Sequence, residues 1–337
     1  MAVLDIRDLT VTYHTAAGEA RAVDGVSFSL EAGQYLGIVG ESGCGKSTIA
    51  KAIMGILPEN AHAGGAILYE DRNLLVLDRE ALNKVRWRHI AMVPQSAMHA
   101  LDPVYRVGDQ IAEAIQAHRP MDGVALRQRL DALFELVGIS KARLADHPHQ
   151  LSGGMRQRAM IAMALALDPD VIVADEPTTG LDVIVQDQIL LRIKEIQAKM
   201  GKAMLLITHD IAVVSENCDQ VVVMYAGRVM ERGSHTVLEN PFHPYTVGLI
   251  NAFPDLDGEA RELISIPGSP PSLLNPPKGC RFHARCPFAL PLCTEQEPEL
   301  LQVAPGHFAA CHRAGDMMEI RRRGADPAAW QAKGLVA

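Results

Sequence analysis

Apolar and polar residues nearly alternate at the start of the chain, where Leu4, Ile6, Leu9, Val11 and Tyr13 predict an early strand with one buried face. Ala22 to Leu30 is a second strand-like piece. Leu36-Gly37-Ile38-Val39 is a short continuous apolar run, the pattern of a strand covered on both sides, and Thr48 to Met54 follows as a helix. Ala66-Ile67-Leu68-Tyr69 and Ile90-Ala91-Met92-Val93 predict further strands, the second ending at Pro94-Gln95. From about Val107 to Leu151 the apolar spacing changes to three and four residues (Ile111, Ile115, Leu126, Leu130, Leu133, Leu136, Val137), which predicts helix, as does Gly154 to Leu167. Val171-Ile172-Val173-Ala174 suits a central parallel strand, and Val185 to Met200 an amphipathic helix. Ala203 to Thr208 and Val221 to Tyr225 are strands, and Ala226-Gly227 turns tightly into Arg228-Val229-Met230.

Strands alternating with helices predict an α/β fold with a doubly wound sheet and a helical insertion between about Ser96 and Gln150. The whole helical subdomain is expected over about residues 96–165. Composition shifts after about residue 235. Pro267-Gly268-Ser269-Pro270-Pro271 and Asn275-Pro276-Pro277 are incompatible with helix. The expected division is therefore a main domain, 1–235, and a separate C-terminal module, 236–337, with no internal repeat.

Composition narrows the function. Forty acidic against 32 basic side chains give a net charge of −8, which argues against a bulk electrostatic role on nucleic acid. Arg321-Arg322-Arg323 is a short run and reads as a solvated surface patch. No apolar run approaches the roughly 18–20 residues that span a bilayer. Met1-Ala2-Val3-Leu4-Asp5 lacks the basic and apolar regions of a secretory signal. A cytosolic address with reduced thiols is the expectation, so the six cysteines are not read as a disulfide framework.

The chemistry begins between the first buried strand and the helix after it. Gly40-Glu41-Ser42-Gly43-Cys44-Gly45-Lys46-Ser47 fits G-x-x-x-x-G-K-[ST], in the strand–loop–helix setting that a phosphate-binding loop requires. Its glycines let backbone N–H groups turn inward around phosphate oxygens, and the helix N-terminus adds partial positive charge. Lys46 is expected to reach the β- and γ-phosphates, and the Ser47 hydroxyl to ligate Mg²⁺. Asp175-Glu176 closes the strand Val171–Ala174. Beside such a loop the first carboxylate can hold Mg²⁺, directly or through water, and the second can polarise the attacking water. Leu151-Ser152-Gly153-Gly154-Met155 opens a helix with a hydroxyl and two glycines, a second anion-ready N-terminus in which Ser152 doubles as an N-cap.

With these residues in view, the chain resembles the ATP-binding cassette (ABC) ATPases over roughly residues 3–235, whose signature sequence is similar to Leu151–Met155. Met155 stands where the family's commonest residue is Gln, which leaves Ser152 and Gly154 in place. The resemblance implies an antiparallel β subdomain beside a RecA-like sheet. It also implies roles by position. Tyr13 would stack on adenine, and Gly40, Ser42, Gly43, Cys44, Gly45, Lys46, Ser47 and Thr48 would cradle the phosphates. Gln95 would touch Mg²⁺ or the water and report to a membrane partner. Asp182, after Leu181, would lie at a dimer interface, and His209 would contact the γ-phosphate. Ser152, Gly153 and Gly154 would grip the ATP of a second cassette, since one chain cannot complete its own site.

Within that family, Val107-Gly108-Asp109-Gln110-Ile111, Met155-Arg156-Gln157-Arg158, His243-Pro244-Tyr245-Thr246 and Cys280-Arg281-Phe282-His283-Ala284-Arg285-Cys286-Pro287 are similar to the ATPases of di- and oligopeptide importers. That branch also serves nickel, glutathione, opine and oligosaccharide importers. The implied partners are a second ATPase subunit (a related chain, or an identical one), two integral membrane permeases and an extracytoplasmic substrate-binding protein. The implied location is the cytoplasmic face of the membrane. A soluble ABC protein acting on ribosomes or DNA is the alternative. It is disfavoured by the single signature sequence and the lack of sustained heptads.

Cys280, Cys286, Cys293 and Cys311 are spaced C-x5-C-x6-C-x17-C on a Pro-rich segment without an evident core of its own. Such a segment suits a metal staple. The gaps are wider than those of zinc knuckles, and three near cysteines with Pro287 after Cys286 fit an iron–sulfur cluster better. Zinc and free structural thiols stay open. The resemblance points to [4Fe–4S], since some peptide-importer ATPases carry that cluster in this region. Cys44, in the phosphate loop, and Cys218, expected in the core, stand outside the set.

Overall fold

The computed structural model describes residues 2–95, 100–252 and 263–331. Ser96, the expected start of the helical insertion, lies outside the described residues, as do Met1 and residues 332–337 at the ends of the two expected domains.

Two sheets organise the chain. The smaller is antiparallel, with strands β1 (Ala2–Thr15), β2 (Gly18–Glu31), β4 (Ala61–Tyr69) and β5 (Arg72–Asn73) in the order β2-β1-β4-β5. The larger has the order β11-β12-β10-β9-β3-β8-β7-β6. It contains β3 (Tyr35–Val39), β6 (Ile90–Val93), β7 (Val171–Asp175), β8 (Ala203–Thr208), β9 (Gln220–Tyr225), β10 (Arg228–Ser234), β11 (Leu301–Ala304) and β12 (His307–Ala309). Strands β9, β3, β8, β7 and β6 are mutually parallel, whereas β10, β12 and β11 continue the sheet antiparallel.

The continuous apolar runs have a physical reason here: alternate residues of each parallel strand feed two different cores. Leu36, Ile38, Val171, Val173, Leu205 and Ile207 join a core shared with the small sheet and with helix Lys46–Ile53. Tyr35, Val39, Ile172, Ala174, Met204 and Leu206 join the opposite one, packed with helices Val107–His118, Gly123–Leu136, Gly153–Ala164 and Val183–Met200. The small sheet is bulged. Residues of β1 pair with β2 through several register shifts, which blunts the alternation of Leu4 to Tyr13.

The C-terminal segment differs from the separate module that its composition suggests. Strand β12 pairs with β10, so the segment extends the main sheet. Its Phe282, Phe288 and Trp330 lie in the same core as Tyr225 and Tyr245. Too short and Pro-rich to enclose a core alone, the segment buries its large side chains on the main domain.

Candidate functional site

The parallel register aligns four strand ends: Val39 is level with Thr208, Ile207 with Asp175, and Ala174 with Val93. The phosphate loop, Gln95, the Asp175-Glu176 pair and His209 therefore emerge side by side at one carboxyl edge of the sheet, where open α/β sheets bind ligands. The loop lies close against its neighbours. A side chain at Gly40 would run into the Met224 carbonyl oxygen, and one at Gly45, where φ is 106°, into that of Ala22. Helix Lys46–Ile53 has no acidic residue in its first turn, so its N-terminal dipole is not neutralised from within.

Lys46 is only 4 % exposed. Its ammonium donates to the carbonyls of Gly40 (2.6 Å) and Glu41 (3.0 Å) and stands 3.7 Å from Cys44 Sγ, a thiol pushed up by burial. Next along, the Ser47 hydroxyl donates to Asp175 Oδ1 at 2.9 Å. Burial pushes the Asp175 carboxyl up, against the opposing pull of that hydrogen bond. A hydroxyl and a carboxylate side by side form a donor set suited to a hard divalent cation.

Glu176 is the hub of the site. Its φ of 45° is a left-handed conformation, costing about 1–3 kcal/mol in a residue with a Cβ, and its N–H is held by Ile207 O at 2.8 Å. Gln95 Nε2 and Thr179 Oγ1 both donate to Oε2, at 2.8 and 2.9 Å, and His209 Nδ1 lies 3.3 Å from Oε1. Desolvation opposes its charge, but the bonds from Thr179 and His209, with Lys46 nearby, hold the carboxyl below its usual range. The adjacent carboxylates are thus pushed in opposite directions, Asp175 up and Glu176 down.

The remaining candidates fall into two groups. Near the loop, Tyr13 is half-buried and its hydroxyl lies 3.3 Å from Thr48 Oγ1, while Ser42 and Gly43 form the exposed rim. The signature residues form the other group. Ser152 caps its helix by accepting from Met155 N–H (3.3 Å), Gly153 opens that helix, and Asp182 caps Val183–Met200 through Val185 N–H (3.0 Å). A Cβ on Gly154 would lie 2.7 Å from Val185 Cγ1, so this glycine lets the two helix starts approach. The hydrogen bonds of Ser152 and Asp182 stay within these two helix starts and do not reach Lys46.

Sequence comparison bears on this geometry. The ABC transporter family profile matches residues 23–179, and that of the oligopeptide/dipeptide transporter C-terminal region matches residues 230–293. The probable peptide ABC transporter ATP-binding protein y4tR of Sinorhizobium fredii is 47% identical over 94% of this chain and 97% of its own length. The oligopeptide transport ATP-binding protein OppD of Escherichia coli is 45% identical over 93% of each. The chain belongs to the ABC transporter ATP-binding subunits. Among solved structures, the dimeric post-hydrolysis state of the ATP-binding cassette MJ0796, bound to ADP and Pi, aligns with a TM-score of 0.62 at 27% identity. That alignment covers 69% of this chain and 98% of the cassette.

Three residues at this ABC site were not legible beforehand. Thr179 sits three positions after Glu176 in a turn, with no motif to mark it. Tyr245 and Arg285 reach the phosphate loop from the C-terminal segment: Glu41 N–H donates to the Tyr245 hydroxyl (2.9 Å) and Arg285 Nη1 to Glu41 Oε2 (2.8 Å). Tyr245 stands in the quoted His-Pro-Tyr stretch and Arg285 beside Cys286, so both were visible only as parts of family motifs. The four clustered cysteines line one small cavity, together with His243, Phe282, His283, Phe288 and His312.

Proposed function

We propose that this ATPase powers the import of di- or oligopeptides through two separate membrane permeases, fed by an extracytoplasmic binding protein. It works as one of two cassettes that close on two ATP molecules. The observation that carries the reading is the Gln95–Glu176–His209 cluster standing beside the Ser47–Asp175 pair at aligned strand ends. In this reading residues 1–235 form the cassette and 236–337 an extension docked on it. No described helix is long and apolar enough to cross a membrane. In this reading the transport path belongs to the permeases, with this subunit on their cytoplasmic face, as the peptide-transport relatives support. Peptide as substrate is supported by the names of the relatives and by the matched C-terminal region.

Lys46 and the loop amides bind the triphosphate, and Tyr13 stacks on the base. Ser47, Asp175 and Gln95 hold Mg²⁺, which when bound offsets charge on the phosphates. Glu176, kept ionised by Thr179 and His209, accepts a proton from the attacking water, and His209 senses the γ-phosphate. Ser152, Gly153, Gly154 and Asp182 act on the nucleotide of the partner cassette. Reconstitution in liposomes with the permeases and binding protein tests the reading: peptide should raise ATP turnover and accumulate inside. Turnover that ignores peptide while another solute stimulates it would overturn the substrate assignment.

In the same reading Cys280, Cys286, Cys293 and Cys311 hold a structural [4Fe–4S] cluster. Backbone N–H groups already point at three of the sulfurs, from Phe282 and His283 to Cys280, from Leu290 to Cys293 and from Arg313 to Cys311, as stabilised thiolates require. Burial pushes the Cys280 and Cys311 thiols up to about 11 and about 12, a penalty that iron ligation would remove. The four thiols line one small cavity, where they would hold the cluster. Anaerobically purified protein should contain iron and labile sulfide and absorb broadly near about 400 nm. Protein without iron would remove the cluster from the account.

A further inference from the structure

The phosphate loop is held from outside the cassette as well as from within. Glu41, its second residue, is the point of attachment. Its N–H donates to the Tyr245 hydroxyl at 2.9 Å, and its carboxylate receives Arg285 Nη1 at 2.8 Å. Its carbonyl, with that of Gly40, is one of the two that hold the Lys46 ammonium. Whatever fixes Glu41 therefore fixes the carbonyls that aim Lys46.

Both external groups are themselves immobilised. The Arg285 guanidinium is a fork shared among several acceptors: Nε to Pro267 O at 2.7 Å, Nη2 to Ile266 O at 3.3 Å, and Nη1 to the Tyr225 hydroxyl at 3.2 Å as well as to Glu41. It also lies over the Tyr225 and Phe282 rings. Tyr225, Tyr245 and Phe282 pack ring against ring at 4.7–5.3 Å between centroids. Tyr245 rides in the first turn of helix Pro244–Asn251, whose N-cap is His243; burial holds that imidazole down to about 3. A neutral Nδ1 can accept, and it takes the Tyr245 N–H at 3.0 Å, while Glu231 accepts the N–H of His243. The same cysteine-bounded turn sends a second arginine to the nucleotide half: Arg281 pairs with Asp24 of β2.

We infer that Tyr245 and Arg285 are positioning residues for ATP binding, a clamp by which the C-terminal extension sets the phosphate loop and, through Glu41, the aim of Lys46. Arg285 has a second effect. It neutralises a carboxylate that would otherwise stand bare beside a triphosphate. The clamp rests on the nucleotide-site reading above and gives the His243-Pro244-Tyr245 stretch a task in that site: His243 and Pro244 start the helix that delivers Tyr245.

The test uses the full-length chain and reads equilibrium binding of MgATP beside KM, kcat and melting temperature. Arg285→Met and Glu41→Ala should each weaken ATP binding and raise KM about tenfold, the scale of one charged hydrogen bond. For Arg285→Met, turnover at saturating ATP should fall by less than affinity does, since Arg285 does not meet the reacting atoms. Because the two act through one contact, the double variant should be no worse than the poorer single one. Arg285→Lys, which keeps the charge but not the fork, should recover part of the loss, and Tyr245→Phe should weaken binding by a smaller factor. A purely structural role would instead lower the melting temperature and leave ATP affinity of the folded fraction unchanged, which would overturn the clamp. Fully multiplicative losses in the double variant would overturn it too. Should Arg285→Met not fold, Glu41→Ala decides for the Arg285 arm from the loop side, with the extension and the backbone contact to Tyr245 intact. A wild-type chain that does not bind MgATP would sink the nucleotide-site reading itself, a distinct outcome from a bound nucleotide indifferent to Arg285.

Discussion

The phosphate loop and the signature turn are both helix N-termini built from glycines and a hydroxyl residue, yet they are finished to different degrees. The loop is enclosed: Lys46 is buried, Gly40 and Gly45 touch neighbouring backbone, and the C-terminal segment holds Glu41 from behind. At the signature turn Ser152 is exposed, and on the neighbouring helix start Val183 and Ile184 are 72% and 71% exposed. One terminus has its walls within this chain. The other presents polar donors and an apolar rim outward, the profile of a surface awaiting a second subunit. In the proposed reading, an anion site split in this way would bind nucleotide alone and need a mate to surround it.

The sharpest way to break this contrast is to remove chemistry from the enclosed half. Glu176→Gln should cut turnover by about 10²-fold or more while retaining ATP, the scale for losing a general base; steady-state hydrolysis beside nucleotide retention measures it. Near-wild-type hydrolysis would remove Glu176 from that role. On the open half, Ser152→Asp keeps the N-cap but turns a negative charge toward the partner's phosphates. In a Glu176→Gln background it should abolish ATP-driven dimerisation in size-exclusion light scattering, and alone it should cost turnover about tenfold or more. Single-chain ATP affinity should be unchanged. A loss there would mean that the turn serves its own loop.

A third variant sharpens the difference in bracing. His243 is buried and neutral, with its pKa lowered from 6.5 to about 3. The unfolded chain binds a proton on this residue as pH falls through about 6.5 and the folded chain does not, so stability is lost on acidification between about 6.5 and about 3. The slope approaches about 1.4 kcal/mol per pH unit for this one group. His243→Asn retains a capping acceptor and should flatten that part of the profile in denaturant titrations at stepped pH. The smallest effect is expected at Gly154→Ala, where the added methyl meets Val185: a loss of about 1 kcal/mol, read from the same titrations. A neutral result would show that the two helix starts part freely.

Much of the enclosed half was legible because its signals are local. The apolar runs Leu36–Val39 and Val171–Ala174 marked strands, and each motif stood at a strand end, where parallel pairing then gathered it. What escaped was long-range. Arg285 and Glu41 are 244 positions apart and no periodicity links them. The Pro-rich segment looked independent because composition reports a lack of core but not whose core is borrowed. Gly154 was read for its anion-ready backbone, and its second reason, clearance for Val185, depends on a helix crossing that no single stretch encodes. The left-handed turn at Glu176 is equally invisible, since nothing about a glutamate announces positive φ.

Strand β12 has a practical consequence for anyone shortening this chain. It covers the outer edge of β10 through the Glu231–Ala309 and Arg232–Phe308 pairs. A truncation after the cysteines Cys280–Cys293 would keep most of the C-terminal sequence yet uncap that edge. Bare ladder groups on β10 would then invite self-association, and such a fragment should precipitate at concentrations the whole chain tolerates.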